Sequence, residues 1–157
     1  MMKKLPRTHS CFVCGTSNRH GLNLDFETDG QIVRAKFIPH PDHVGFKGVT
    51  HGGILATILD EIMVWACGVK TRQFAFCAEL NVRYLQQVTP GMELWAEGEL
   101  VVNRKNRIFE ARSSIRDTTG CMLASATGKY MPIKEEKCQS FLEEFESRPS
   151  TQAELFE

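Results

Sequence analysis

The stretch Gly53-Ile54-Leu55-Ala56-Thr57-Ile58-Leu59-Asp60-Glu61-Ile62-Met63-Val64-Trp65-Ala66-Cys67-Gly68-Val69 decides the fold. Apolar side chains fall on almost every helical face of it. A helix that is apolar all round belongs inside a core, not on a surface. Gly68 is a reasonable stop for such a helix. The spacing predicts one long buried helix from Gly53 to about Val69.

Downstream of it the period changes to two. Phe74, Phe76, Ala78, Leu80, Val82 and Tyr84 alternate with Ala75, Cys77, Glu79, Asn81 and Arg83, which predicts a half-buried strand. Pro90-Gly91 turns, and Leu94, Ala96, Leu100 and Val102 mark a second strand. Asn103-Arg104-Lys105-Asn106 turns again before Phe109, Ala111, Ser113 and Ile115. Asp117-Thr118-Thr119-Gly120 leads into a last strand from Met122 to Met131. Upstream, Leu22 to Phe26 and Ile32 to Ile38 read as a hairpin around Thr28-Asp29-Gly30, followed by a glycine-rich loop to Gly53. The order is hairpin, helix, then four antiparallel strands. This is an α+β fold, and the sheet must curl around the helix because the helix cannot cover itself. Residues 1–20 read as an N-terminal arm, 21–133 as the domain, and 134–157 as a charged tail. Phe141, Leu142 and Phe145 are expected to line a short helix in that tail, and the residues from Arg148 onward are expected to be mobile.

The composition narrows the function classes. The chain has 157 residues, 42% hydrophobic and 24% charged, with a formal net charge of zero. That suits one globular domain and argues against a nucleic-acid partner, since such binders are usually basic. No apolar run approaches the roughly 20 residues that span a bilayer, and no apolar segment follows the basic start Met1 to Arg7, so no membrane partner and a cytoplasmic location are expected. The six cysteines are then expected to be reduced. Only Cys11 and Cys14 are close, in Cys-Phe-Val-Cys-Gly. His9 and His20 flank them at spacings that fit no standard zinc finger. No metal within one chain and no cofactor is expected, and the pair reads as a turn packing two small side chains. A metal shared between chains stays open.

Two features carry chemistry. His51-Gly52-Gly53 directly precedes the helix. A helix start has free N–H groups and partial positive charge, and glycine lets a ligand approach that backbone. The result is an acceptor site for a carbonyl oxygen becoming an oxyanion, or simply a tight loop. Inside the helix sits Asp60-Glu61. Two adjacent acids in an apolar helix are costly without partners. One can pair with a cation such as Arg83, leaving the other for function, or both can be structural.

The stretch His43-Val44-Gly45-Phe46-Lys47-Gly48-Val49-Thr50-His51-Gly52-Gly53, continued to Asp60-Glu61, resembles the signature of hot-dog-fold acyl-CoA thioesterases of the phenylacetate-pathway type. Ala78-Glu79-Leu80-Asn81-Val82-Arg83-Tyr84-Leu85 resembles that family's strand after the helix. The opening Cys11-Phe12-Val13-Cys14-Gly15 with Gly21-Leu22 recurs in one of its branches. The resemblance covers roughly residues 11 to 132. It implies a hot-dog fold, a curved antiparallel sheet wrapped around one long central helix. It implies hydrolysis of an acyl-CoA thioester, with Asp60 as the catalytic carboxylate and the backbone N–H near Gly53 as oxyanion donor. Two departures stand out: Gly45 replaces a frequent asparagine, and Cys77 replaces a frequent hydroxyl.

From Gly53 to Asp60 the helix rises about 10 Å. A carbonyl held at Gly53 is too far from Asp60 of the same chain, because reacting atoms must lie within about 3.5 Å. An antiparallel helix of a second subunit brings them together, so a homodimer, or a dimer of dimers, with composite sites is expected. Around this centre the expected substrate-binding residues are His51, Gly52, Glu61, Met63, Val64, Phe76 and Cys77, with Arg104 and Arg107 for the CoA phosphates. Bulky Met63, Val64 and Phe76 favour a small to medium or aryl acyl group. The rival readings are a non-catalytic acyl-CoA-binding module, a hydratase on the same fold, and a metal-linked assembly protein built on Cys11 and Cys14.

Overall fold

The computed structural model describes all 157 residues. The elements run β1 Lys3–Lys4, β2 Glu27–Thr28, β3 Val33–Phe37, α1 Gly52–Thr71, β4 Ala75–Tyr84, β5 Leu94–Arg104, β6 Ile108–Asp117 and β7 Met122–Pro132. A 3-10 turn at Glu135–Lys137 and the short helices α2 Gln139–Leu142 and α3 Gln152–Leu155 follow. The strands make one antiparallel sheet in the order β1-β2-β3-β5-β6-β7-β4. The predicted four strands after the helix are all present, but β4 is not beside β5. It crosses to the far edge and pairs with β7, while β5 joins β3.

The sheet offers α1 a floor of small residues. Ala96, Ala111, Ser113, Ala124 and Ala126 face inward and are buried. Gly98 lets the helix lie close there, since a Cβ on it would crowd Ile62 Cγ2 at 3.0 Å. Onto this floor α1 presses Ile58, Leu59, Ile62, Met63 and Cys67, each fully buried. Burial of one such aliphatic side chain contributes about 2 kcal/mol. Ser113 Oγ donates to the Leu59 carbonyl at 3.1 Å, so even the polar member of the floor is satisfied. By length and hydropathy α1 is apolar enough to cross a membrane, contrary to the sequence expectation, but the sheet wraps it.

The helix runs past Gly68 to Thr71 and ends at Arg72, which takes φ +58° and donates to the Gly68 carbonyl at 2.7 Å. Gly68 is therefore not a stop. The Phe156 ring sits on it, with ring carbon Cζ 2.3 Å from where a Cβ would lie. Phe156, Phe145 and Phe74 gather around Trp65, with centroids 5.9, 6.0 and 6.4 Å from it. The residues from Arg148 onward, expected to be mobile, are thus packed on the end of α1, with Gln152 and Leu155 buried, and the short helix expected just before them ends at Leu142, with Leu142 and Phe145 buried as well. The N-terminal arm is also packed, with Val13 and Cys14 buried and β1 paired to β2.

A bulge between Cys77 and Glu79 breaks the alternation of β4. Register with the inward residues of β7 puts Cys77 opposite Tyr130, Leu80 opposite Gly128, Val82 opposite Ala126 and Tyr84 opposite Ala124. Cys77 therefore faces the helix, and Phe76 faces away beside Met131, where both are about half exposed. A strict period of two had placed Phe76 on the inner face. The extra residue reverses the parity.

Candidate active site

Asp60 lies in the middle of α1 and is partly buried. Tyr130 Oη, on β7, donates to its Oδ1 at 2.8 Å. Cys77, across from Tyr130 on β4, adds its thiol on the same side. Burial, then the Asp60 charge, pushes the Tyr130 hydroxyl far above its usual range, so it stays a donor. Burial and Asp60 likewise raise the Cys77 thiol. No lysine or arginine pairs with Asp60. Arg83 belongs to the opposite face of β4 and is not its partner.

Sequence reasoning missed Tyr130. Its position is made possible by Gly128, where a Cβ would come within 2.6 Å of the Tyr130 ring. Gly128-Lys129-Tyr130 is the signal: a glycine two residues before a tyrosine on the buried face leaves room for the ring to lean back toward the helix.

The helix start carries the second half. His51 is the N-cap, and its Nδ1 accepts the Gly53 N–H at 2.8 Å. The Gly53 N–H expected to hold an oxyanion is therefore already engaged. Ile54 N–H goes to the His51 carbonyl at 3.0 Å. The N–H left without a partner is that of Gly52. Tyr84 Oη donates to the Gly52 carbonyl at 2.8 Å, so the Tyr84 ring stands over the glycine. Gly45 packs against the His51 ring, with Cδ2 3.1 Å from where its Cβ would lie. A cleft of about 850 Å³ opens here, lined by Val44, Phe46, Thr50, His51, Gly52, Tyr84 and neighbours. The Thr50 hydroxyl on its wall is buried with no partner.

The remaining expected site residues scatter. Met63 is fully buried in the core and does not line the cleft. Val64 is partly buried against that core. Phe76 is on the outer face. Arg104 pairs with Glu110 at 2.6 Å in the β5–β6 turn, while Arg107 in the same turn is exposed. Glu61 turns away from Asp60 toward the N-terminal arm. Its Oε1 lies 3.7 Å from Cys11 Sγ and 4.0 Å from Cys14 Sγ. Burial, with the neighbouring Cys11 and Asp60 charges, pushes the Glu61 carboxyl up to about 8. A hydrogen bond from Cys11 brings the Cys14 thiol down to about 7, and the Cys11 thiol rises in return.

Residues 47–121, which include His51, Gly52, Gly53 and Asp60, match the family described as Thioesterase superfamily. No curated relative matches the sequence. Among solved structures, a thioesterase superfamily protein is 24% identical with a TM-score of 0.71, over 79% of this chain and 60% of that one. The chain thus spans about three-fifths of that relative's length. The Escherichia coli PaaI protein of the phenylacetic acid degradation operon is 18% identical with a TM-score of 0.65, over 72% of this chain and 81% of that one. A Streptococcus mutans protein bound to acetyl CoA is 18% identical with a TM-score of 0.66, over 75% of this chain and 94% of that one. The curved sheet around one helix is the hot-dog architecture of thioesterase-superfamily structures.

Proposed function

We propose that the protein hydrolyses acyl-CoA thioesters as a homodimer, with Asp60 as the catalytic carboxylate. The observation that carries this reading is Asp60 itself. A carboxyl group in a largely apolar helix, held by a tyrosine hydroxyl and paired with no cation, costs stability that packing does not explain. The family match supports it, because the matched segment holds both the helix start and Asp60. The acetyl CoA held by a protein of the same fold supports the substrate class.

In this reading the thioester carbonyl accepts the free Gly52 N–H. The Gly53 N–H joins when the His51 ring turns aside. Water activated by Asp60 attacks the carbonyl carbon, or the carboxylate attacks first and water resolves the anhydride. Either way the products are the free acid and the CoA thiol. The acyl groups expected are small to medium or aryl, as for a phenylacetate-pathway type.

A second subunit supplies the distance. Seven helix residues separate Gly53 from Asp60, about 10 Å of rise. Gly53, Ala56, Thr57, Asp60 and Val64 form the less buried stripe of α1, small enough for another helix to lie close. β4 ends the sheet with a full edge of ten residues, and its inner Leu80 and Tyr84 are 37% and 53% exposed. A long unpaired edge with exposed apolar side chains on its inner face calls for a partner.

The test is thiol release from short-chain, long-chain and aryl acyl-CoAs, comparing wild type with Asp60→Asn. Release that collapses in the variant, with an unchanged melting curve, is the expected result. One observation favours a second reading, a module that binds acyl-CoA without turnover: the Gly53 N–H is occupied by His51. Tight ester binding by calorimetry without any thiol release would establish that module instead.

A further inference from the structure

Glu61 has no role in the thioester site described above, and its surroundings are unusual for a carboxyl group. Its polar neighbours on the arm are two thiols, and no lysine, arginine or histidine pairs with it. Cys11 Sγ, Cys14 Sγ and a Glu61 oxygen lie within 4.8 Å of one another. We propose that Cys11, Cys14 and Glu61 bind a zinc-class divalent ion within a single chain.

The geometry is close to what such an ion needs. Around a tetrahedral zinc with S and O ligands at about 2.3 and 2.1 Å, sulfur and oxygen stand roughly 3.5 Å apart. The two Sγ–Oε1 separations of 3.7 and 4.0 Å need only tenths of an ångström of closure. The turn is shaped to present both sulfurs. Gly15 N–H closes it on the Cys11 carbonyl at 2.9 Å, and Gly15 has no room for a side chain, since a Cβ would lie 2.3 Å from that oxygen. Val13 N–H donates to Cys11 Sγ at 3.3 Å. A backbone donor aimed at sulfur favours the thiolate form that a metal requires. Binding releases the thiol protons, and the ion's charge then offsets the partly buried carboxylate. Three protein ligands leave one position for water.

The ion would tie the N-terminal arm to α1 at the residue after Asp60. The spacing of Cys11 and Cys14 alone does not reveal this, because the third ligand comes from a helix 47 residues further on. His9 and His20, the sequence candidates, are exposed and outside the group.

The test loads purified, reduced protein with Zn²⁺ or Co²⁺ and does not depend on the thioesterase reading. Expected are one ion per chain by elemental analysis and, for Co²⁺, a thiolate-to-cobalt absorption band with tetrahedral visible bands. Cys14→Ser and Glu61→Gln should each abolish the band, and Cys121→Ser, at an exposed thiol, should keep it. Wild-type spectra stand on their own if a variant fails to fold. Reduced wild type that takes up neither ion would overturn the proposal. So would an undiminished band in Glu61→Gln. Isolation of the unreduced protein two hydrogens lighter, with a Cys11–Cys14 disulfide that reforms in preference to metal uptake, would assign the pair to redox chemistry instead.

Discussion

At the scale of single residues, the carboxyl of Asp60 and the hydroxyl of Tyr130 form one unit. Tyr130 is fully buried, and its ring fills the space that Gly128 leaves. Tyr130→Phe keeps the ring and removes the donor to Asp60 at 2.8 Å. A hydrogen bond to a charged group is worth about 1.5–3 kcal/mol. Thiol-release kinetics should therefore show turnover falling roughly 10- to 100-fold, with KM for the acyl-CoA little changed. An unaltered rate would take Tyr130 out of the site. His51 is a different case. Its Nδ1 caps α1 through the Gly53 N–H. His51→Ala should cost about 1 kcal/mol in urea unfolding while leaving that N–H free for a ligand. The cap explains why a histidine beside two glycines is ambiguous in a sequence: the same ring orders the loop and covers a possible donor.

At the scale of elements, two departures from the sequence pattern shape the molecule, one at the site and one at the far end of α1. The bulge in β4 turns Cys77 toward Asp60 and Phe76 away from it. No local residue pattern announces that bulge, because Phe-Cys-Ala-Glu suits a strand in either parity. The C-terminal segment is the other. Its charge and its Pro149 suggest a solvated tail, yet Phe145 stacks on Phe74 with centroids 5.5 Å apart and stands edge-on to Trp65. Phe145 is 4% exposed, so Phe145→Ala should leave a cavity and cost about 3 kcal/mol. Thermal or urea denaturation checks this, and a loss below about 0.5 kcal/mol would return the segment to the class of surface tails.

At the scale of the whole molecule, one chain holds the helix start and the carboxyl of α1 on the same helix but about two turns apart. If active sites are shared between subunits, two defective chains complement each other. Gly52→Val, which forces a side chain into the Tyr84 ring, and Asp60→Asn should each be inactive alone. Unfolding and refolding the two together should restore thiol release, because mixed dimers regain one intact site. Activity that stays absent on mixing, with mixed dimers present by mass, would place the whole site within one chain. The outer sheet face is already partly paired within the chain, through Glu79–Lys129 at 3.2 Å and Glu99–Arg112 at 2.6 Å, which leaves less charge there for a second dimer.

The α1 stretch was readable because an all-apolar helical face has only one place to go, and the sheet strands because alternation and turn residues act over a few neighbours. The pair Asp60-Glu61 stood out for a local reason too, since acids among aliphatic residues signal their own cost, but only the family resemblance singled out Asp60. What the tertiary structure decided depends on contacts far apart in the chain. Tyr130 reaches Asp60 across 70 residues, and Cys11 and Cys14 meet Glu61 across 50 and 47. The landing of β4 beside β7 sets the first of these meetings, and the docking of the arm on α1 sets the second. Neither follows from propensity or period, since each is fixed by which buried surfaces fit once the sheet has closed around the helix.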